Sequence, residues 1–265
     1  MSLTLTPTLL TPGAAEPRPL LMVGPSLGTS VAALWEPALP HLAEHFTVVG
    51  WDLPGHGRSA PHSEPFSLVD LASAVIDSAD HASSEHGLVD PALPRFHAGV
   101  SIAGAVSLTL AVERPDAFAK LAVICSAAKI GTAEAWNERA DLVAQAGTPT
   151  MVEGSAKRWF ASGFLQRHPE RAAPLLHSLQ QADRRSYASA CRALAGYDLT
   201  ERLAAVTSPV LAVAGAEDTV CPPADAEAIA AGVPQGRAAA LEGVAHQAPV
   251  EDPKATAELL KEFLA

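Results

Sequence analysis

The sequence has few aromatic, charged and cysteine residues and no long apolar run. Aromatic residues make up 5% and charged residues 18% of the 265-residue chain, whereas hydrophobic residues reach 48%. That much apolar material can build a sizeable core, which excludes intrinsic disorder as the overall state. No stretch approaches the roughly 20 consecutive apolar residues that a membrane-spanning helix needs, so we expect no membrane span.

Positive charge is also scarce. The chain has 18 Lys and Arg residues against 29 Asp and Glu residues, which gives a formal net charge of −11. Such a chain repels phosphate backbones and anionic lipid surfaces, so we expect neither nucleic acid nor a membrane as a partner. A small anionic substrate would need a local cation to offset this overall negative field.

The three cysteines are odd in number and far apart in sequence. Cys125, Cys191 and Cys221 fit neither a disulfide framework nor a zinc ligand set, and we expect them to be buried thiols in a reducing compartment. Residues 1–7 lack the positive and apolar regions of a secretory signal, which favours a cytoplasmic location. The sequence leaves the oligomeric state open, with a homo-oligomer among the alternatives.

Short apolar runs alternate with turns and helical stretches, a pattern typical of an α/β fold with a mainly parallel central sheet. The runs predicted as strands are 20–23, 46–51, 95–100, 121–125 and 209–214. Between the last two of these strands, from residue 127 to about 202, strand signals are absent and apolar residues recur at helical spacing. The helical segments of this stretch are 133–146, 150–161, 170–181 and 184–195. We therefore predict a core formed by residues 1–126 and 206–265, with a helical cap inserted at 127–205.

The strongest chemical signal surrounds Ser101, which stands between a predicted strand and a predicted helix. A sharp strand–turn–helix projects a serine hydroxyl toward a substrate and directs free helix N–H groups at a developing oxyanion. The turn needs small neighbours, and Gly99 and Gly104 supply them. Ala103 stands where the G-x-S-x-G pattern has its second glycine. The alternative interpretation is a serine that only caps a helix.

Two further residues follow Ser101 in the order that a triad of serine, acid and histidine requires on this architecture. Asp218 comes directly after the predicted strand 209–214, at the edge of the sheet where catalytic groups gather. His246 follows in a short loop with Gly243 before it. Each residue alone is more simply a turn or surface residue. Their order and their loops together predict a catalytic triad.

A backbone N–H from the loop after the first buried strand supplies one oxyanion donor in this architecture. We assign this donor to Leu27, in the turn 24–28, and the other to Ile102; an ordinary Gly/Pro turn is the alternative for the loop. The segment 55–60 fits the G-x-G-x-x-A pattern of dinucleotide binding, but Pro61 interrupts the helix that such a site needs. We therefore reject a nucleotide site.

With these motifs in place, the sequence resembles the α/β-hydrolases. The segment 51–59 is similar to the D-x-x-G-x-G-x-S loop that follows an early strand in that family. Other segments are similar to the 3-oxoadipate enol-lactonase branch of the family: 26–29, 127–132, 136–139, 158–160 and 187–195. The resemblance implies a small enol-lactone substrate that carries a carboxylate and is hydrolysed to a 3-oxo dicarboxylic acid in aromatic catabolism.

The resemblance and the triad together imply a mechanism. His246, oriented by Asp218, would take the proton from Ser101, which would attack the lactone carbonyl and form an acyl-enzyme. Water would then release the product. This chemistry requires no metal and no organic cofactor.

The substrate carboxylate still needs a cationic partner. A guanidinium binds a carboxylate with two parallel hydrogen bonds, and the cap offers Arg139 and Arg158 for this role. Trp136 and Trp159 stand beside them and could wall an apolar pocket. A solvated helix arginine is the alternative for each cation.

Three other functions stay open at this point. Another ester, lactone or C–C bond hydrolase of the same fold would share every catalytic residue and differ only in the cap. A ligand-binding protein on this scaffold would keep the triad without useful turnover. A cofactor-free haloperoxidase-like activity would be a side reaction of the same triad.

Overall fold

A single seven-stranded sheet forms the centre of the computed structural model, which describes residues 3–12, 16–86, 90 and 92–265. The strands are β1 Pro7–Leu9, β2 Leu20–Gly24, β3 Thr47–Trp51, β4 Arg95–Val100, β5 Lys120–Ile124, β6 Val210–Gly215 and β7 Gly236–Leu241. Their order across the sheet is β1-β3-β2-β4-β5-β6-β7. All neighbouring pairs are parallel except β1 with β3. The predicted mainly parallel sheet is therefore confirmed.

Apolar residues explain the five central strands. β2, β3 and β6 are buried along their whole length, and β4 and β5 are buried after their first residue. Parallel strands have this character because helices cover both faces of the sheet. All five predicted strands are confirmed, each within one residue of its observed bounds.

The two edge strands were not predicted. β1 starts at a proline and pairs with a single neighbour, in antiparallel register. β7 has the sequence Gly-Arg-Ala-Ala-Ala-Leu and is mostly exposed or partly exposed, and glycine and alanine have a low preference for strands. Pairing with β6 along the full length of β7 provides its strand conformation.

Helices pack around this sheet and also form the long connection from β5 to β6. Those before β5 are α1 Val31–Trp35, α2 Leu39–Leu42, α3 Leu68–His86 and α4 Ile102–Glu113. Those between β5 and β6 are α5 Ala133–Ala146, α6 Val152–Trp159, α7 Phe164–Arg167, α8 Pro169–Gln181 and α9 Arg184–Ala195. Those after β6 are α10 Pro223–Gly232, α11 Ala248–Glu251 and α12 Pro253–Leu264. Within the described ranges, none is long and apolar enough to cross a membrane.

The connection between β5 and β6 contains helices and no strand over residues 125–209, all of which the structure describes. Its two ends are bonded to each other. The Tyr197 hydroxyl donates to the carbonyl oxygen of Ala127 at 3.0 Å, and the Leu199 N–H donates to that of Ala128 at 2.8 Å. The five helices α5–α9 therefore leave and rejoin the rest of the chain at neighbouring points, which we call the neck.

Candidate active site

Ser101 lies at the junction of β4 and α4 with a left-handed backbone, at a φ of 56°. Residues other than glycine are strained in this region, and such strain concentrates at functional turns. A Cβ at Gly99 would lie 2.1 Å from the carbonyl oxygen of Ala103, and one at Gly104 would lie 2.6 Å from Cβ of Ser126. Both positions therefore require glycine for the turn to form.

Ala103 fits into the turn because the facing residue on β2 is glycine. A Cβ at Gly24 would lie 2.5 Å from Cβ of Ala103 and 2.6 Å from the Trp51 ring. The methyl group of Ala103 thus occupies the space that a side chain at position 24 would need. The departure from the G-x-S-x-G pattern is compensated by a glycine on the neighbouring strand.

The structure brings Ser101 and His246 to one pocket and bonds His246 to Asp218. Nδ1 of His246 lies 2.7 Å from Oδ2 of Asp218, and both side chains are almost fully buried. The other carboxylate oxygen accepts from the N–H groups of Val220 at 2.7 Å and Cys221 at 3.1 Å. With Nδ1 engaged by the carboxylate, Nε2 is the imidazole nitrogen left to exchange a proton with a serine.

The two residues assigned as oxyanion donors lie close to Ser101, one next to it in the chain and one in the wall of the same pocket. Ile102 directly follows Ser101 and is the first residue of α4, where an N–H group has no partner inside the helix. Leu27 lies in the loop between β2 and α1 and lines the pocket together with Ser101. Gly28, the next residue, has a φ of 91°, which turns the loop back toward α1. This placement is compatible with the predicted role of the two N–H groups as oxyanion donors.

The pocket has a volume of about 230 Å³ and is lined by both the core and the β5–β6 connection. All four cap residues predicted to contact a substrate line it. Trp136 and Arg139 come from α5, and Arg158 and Trp159 come from α6. The two helices therefore form one wall of the pocket that contains Ser101.

Two cations, Arg139 and Arg158, stand together in this wall. Among the described residues, neither Arg139 nor Arg158 forms an ion pair with a carboxylate. The Arg139 guanidinium stacks over the Trp136 ring at 4.9 Å from its centre. Partial burial, and then the charge of Arg139, lower the pKa of Arg158. Two neighbouring guanidinium groups that lack a counter-charge favour the binding of an anion.

Sequence reasoning missed three polar residues of the pocket: Ser26, Ser155 and Tyr187. The hydroxyl oxygen of Ser26 accepts from the Gln247 side chain at 3.3 Å, so its own proton is available to a ligand. Tyr187 is buried, and burial raises the pKa of its hydroxyl. Ser26 and Tyr187 lie in the segments 26–29 and 187–195, whose similarity to the enol-lactonase branch was the sequence signal that could have identified them.

The three cysteines and the segment 55–60 have structural roles. The three cysteines are free and buried, and burial raises the pKa of Cys191 to about 12. The segment 55–60 opens no helix. The Asp52 carboxylate instead accepts from the N–H groups of Val31 at 2.7 Å and Arg58 at 2.8 Å, which fixes this loop against α1. The described residues contain no cluster of His, Cys, Asp and Glu that could hold a metal ion.

Comparison with known proteins gives matches along most of the chain. Residues 40–253 match a family model described as serine aminopeptidase, S33. The 3-oxoadipate enol-lactonase 2 of Acinetobacter baylyi is 33% identical over 238 residues, which cover 90% of this chain and 85% of that protein. The solved enol-lactonase of Burkholderia xenovorans has a TM-score of 0.87 at 24% identity, over 98% of this chain and 96% of its own. A solved hydrolase of Pseudomonas aeruginosa has a TM-score of 0.85 at 30% identity, over 98% of this chain and 94% of its own.

Proposed function

The chain belongs to the α/β-hydrolase family, and on this premise we propose that it opens a small enol-lactone that carries a carboxylate. The specific substrate we propose is 3-oxoadipate enol-lactone, hydrolysed to 3-oxoadipate in the catabolism of aromatic compounds. The observation that carries the substrate class is the presence of Arg139 and Arg158, without acidic partners, in the pocket that contains Ser101. The identity of 33% to an Acinetobacter 3-oxoadipate enol-lactonase supports the lactone.

The first half of the reaction forms an acyl-enzyme. His246 Nε2 takes the proton of the Ser101 hydroxyl, and the hydrogen bond from Nδ1 to Asp218 stabilises the imidazolium that forms. The serine oxygen attacks the lactone carbonyl, and the N–H groups of Leu27 and Ile102 stabilise the oxyanion. The ring C–O bond then breaks, the imidazolium protonates the leaving enol oxygen, and the enol tautomerises to a ketone.

The second half releases the product. A water molecule gives a proton to His246 Nε2 and attacks the acyl carbonyl, and the same two N–H groups stabilise the second oxyanion. The bond to the Ser101 oxygen breaks, and the imidazolium returns its proton to that oxygen. One water is consumed, and the product carries one carboxylate more than the lactone.

We propose a division of labour between the core, residues 1–126 and 206–265, and the cap, residues 127–205. The core supplies the triad and the oxyanion donors, and the cap supplies the arginines and the tryptophans. A volume of about 230 Å³ suits a small molecule and excludes a polymer substrate. Both arginines are bidentate donors, so they can orient the substrate carboxylate while the ring faces the serine.

The test compares the anionic enol-lactone with neutral p-nitrophenyl esters as substrates of the purified protein. We expect kcat/KM for the lactone to exceed that for the esters. The turnover of Ser101→Ala, which lacks the nucleophile, gives the background rate. Turnover of the esters without turnover of the lactone would overturn the substrate and leave an esterase. A serine-directed phosphonate should give an adduct at Ser101 by mass spectrometry; without an adduct, the chain would be a ligand-binding protein.

A further inference from the structure

One carboxylate outside the triad is bonded to both sides of the His246 position. Glu251 is the last residue of α11 and is partly buried. Its Oε1 accepts from the N–H of Ala245 at 3.0 Å and from the N–H of Gln247 at 3.1 Å. These two residues precede and follow His246, so the carboxylate fixes the backbone from which the imidazole projects.

The same carboxylate also holds the cap. Its Oε2 accepts from the N–H of Ala161 at 2.6 Å, directly after helix α6. Two residues earlier, the carbonyl oxygen of Trp159 accepts from the N–H of His246 at 3.1 Å. Glu251 and this backbone bond together join the histidine loop to the segment 159–161, whose first residue lines the pocket.

A second carboxylate provides an internal comparison. Oε2 of Glu217 accepts from the N–H of Ser162 at 2.9 Å, one residue further along the same cap segment. Among the described residues, its side chain makes no hydrogen bond to the histidine loop. The Glu217 side chain therefore bonds to the cap segment, and only the backbone N–H of this residue, which a substitution leaves in place, donates to the histidine loop, at the carbonyl oxygen of Val244 and 2.8 Å. The Glu251 side chain bonds to both.

The charge of Glu251 also acts on the histidine. Burial raises the pKa of this carboxyl, while its N–H donors and the nearby His246 lower it. Glu251 and His246 therefore interact electrostatically as well as through the backbone bonds that flank the imidazole. Cys125, directly after β5, also senses this carboxylate: burial, then the charge of Asp218 and, to a smaller extent, that of Glu251 raise the pKa of its thiol.

We propose that Glu251 is a positioning residue that orients His246 toward Ser101 and couples this orientation to the seating of the cap segment 159–161. The inference rests on the proposed function in that it assigns His246 the role of general base. An amide at position 251 offers one acceptor atom in place of two and sets an NH₂ group against one of the donors. Glu251→Gln therefore separates the two attachments without a large change in volume.

The experiment compares Glu251→Gln with Glu217→Gln in steady-state kinetics and in the ¹H NMR resonance of the His246 Nδ1–H, which is bonded to Asp218, without substrate. We expect Glu251→Gln to lower kcat by about 10- to 100-fold, since a misplacement of about 1 Å costs on that order. The Nδ1–H resonance should shift in this variant, because the backbone that carries the imidazole is displaced. Glu217→Gln should keep kcat within about threefold and leave the resonance in place. Glu251→Asp, which retains the carboxylate, should move the resonance back toward its wild-type position.

Equal effects of the two Gln variants on kcat and on the Nδ1–H resonance would overturn the positioning role and leave cap attachment alone. If Glu251→Gln fails to fold, amide hydrogen exchange of the wild-type protein decides. The N–H groups of Ala161 and Gln247 should then exchange with the same protection, because one carboxylate holds both, and unequal protection would contradict the coupling. The resonance and the exchange are measured without substrate, so both results hold even if the proposed lactone is wrong.

Discussion

The backbone N–H of His246 donates to the carbonyl oxygen of Trp159 at 3.1 Å, so the proposed general base is bonded to a wall of the pocket. A hydrogen bond is directional, and this one ends on the residue that is proposed to transfer the proton. A substitution in the cap that displaces residue 159 should therefore reach the chemistry as well as substrate binding.

Removal of the nucleophile or of its acid should abolish turnover. We expect Ser101→Ala and Asp218→Asn to lower kcat by at least about 10⁴-fold, because the first removes the attacking oxygen and the second destabilises the required tautomer of His246. Steady-state kinetics measure the loss, and circular dichroism should show an unchanged fold. Ser63→Ala, at an exposed serine, is the matched control and should retain wild-type kcat. Residual turnover within tenfold of the wild type would contradict the triad.

Loss of either cap arginine should weaken selection of the anionic substrate. We expect Arg139→Ala and Arg158→Ala each to lower kcat/KM for the enol-lactone by about 10- to 100-fold, the size of one charge-assisted hydrogen bond. Turnover of a neutral ester should change little. Lys157→Ala is the control, since it removes one exposed cation from the same helix, where Lys157 pairs with Glu153 at 2.7 Å. Wild-type kinetics in both arginine variants would refute carboxylate binding by the cap.

Two glycine-to-alanine substitutions should have opposite effects on stability. Gly99→Ala places a methyl group 2.1 Å from the carbonyl oxygen of Ala103, so it should destabilise the protein by about 1–3 kcal/mol and displace Ser101. Gly154→Ala lies within α6, and its nearest neighbour is the Arg158 guanidinium at 3.6 Å. The helix preference of alanine should then stabilise the protein by about 0.5–1 kcal/mol. Urea unfolding measures the change in the free energy of unfolding for each variant. Changes of the same sign in the two variants would contradict the packing described for Gly99 and Gly154.

Two buried histidines should make stability fall as the solution becomes acidic. Burial lowers the pKa of His97 from 6.5 to about 3 and that of His56 from 6.5 to about 4. Below pH 6.5 the unfolded chain binds protons that the folded chain does not, so the free energy of unfolding decreases as pH falls. Each histidine should contribute a loss of about 1.4 kcal/mol between pH 7.5 and 5.5.

Urea unfolding at the two pH values measures this loss, and His56→Gln separates one contribution from the other. The variant should show a pH-dependent loss smaller than that of the wild type by about 1.4 kcal/mol. An unchanged pH dependence in His56→Gln would contradict the inference that this histidine is buried in its neutral form.

The central strands and the order of the triad could be predicted because each has a local signal. Buried parallel strands are continuous apolar runs, and the nucleophile turn needs small residues within a few positions of Ser101. The edge strands β1 and β7 have no such signal. Each pairs with a single neighbouring strand and is largely exposed or partly exposed, so its sequence is not a continuous apolar run. Helix α10 is rich in alanine and lacks a periodic apolar face, so it was not predicted either.

The role of Glu251 could not be predicted for a different reason. Its bond to Ala161 spans 90 residues of sequence and ends on a backbone N–H. Every residue except proline offers such a group, so the partner leaves no trace in the sequence. The partner of Ser26 was similarly hidden, because its hydroxyl oxygen accepts from the side chain of Gln247, 221 residues away in the chain.

The neck formed by Tyr197 with Ala127 and by Leu199 with Ala128 has a consequence for how such enzymes diversify. Because the helices leave and rejoin the core at adjacent residues, their length and sequence can change while every strand of the sheet keeps its register. We expect that a foreign segment grafted between these residues would change the substrate preference and leave the proposed catalytic groups in place. Such a segment would have to re-create bonds to the core such as those at Trp159, Ala161 and Ser162.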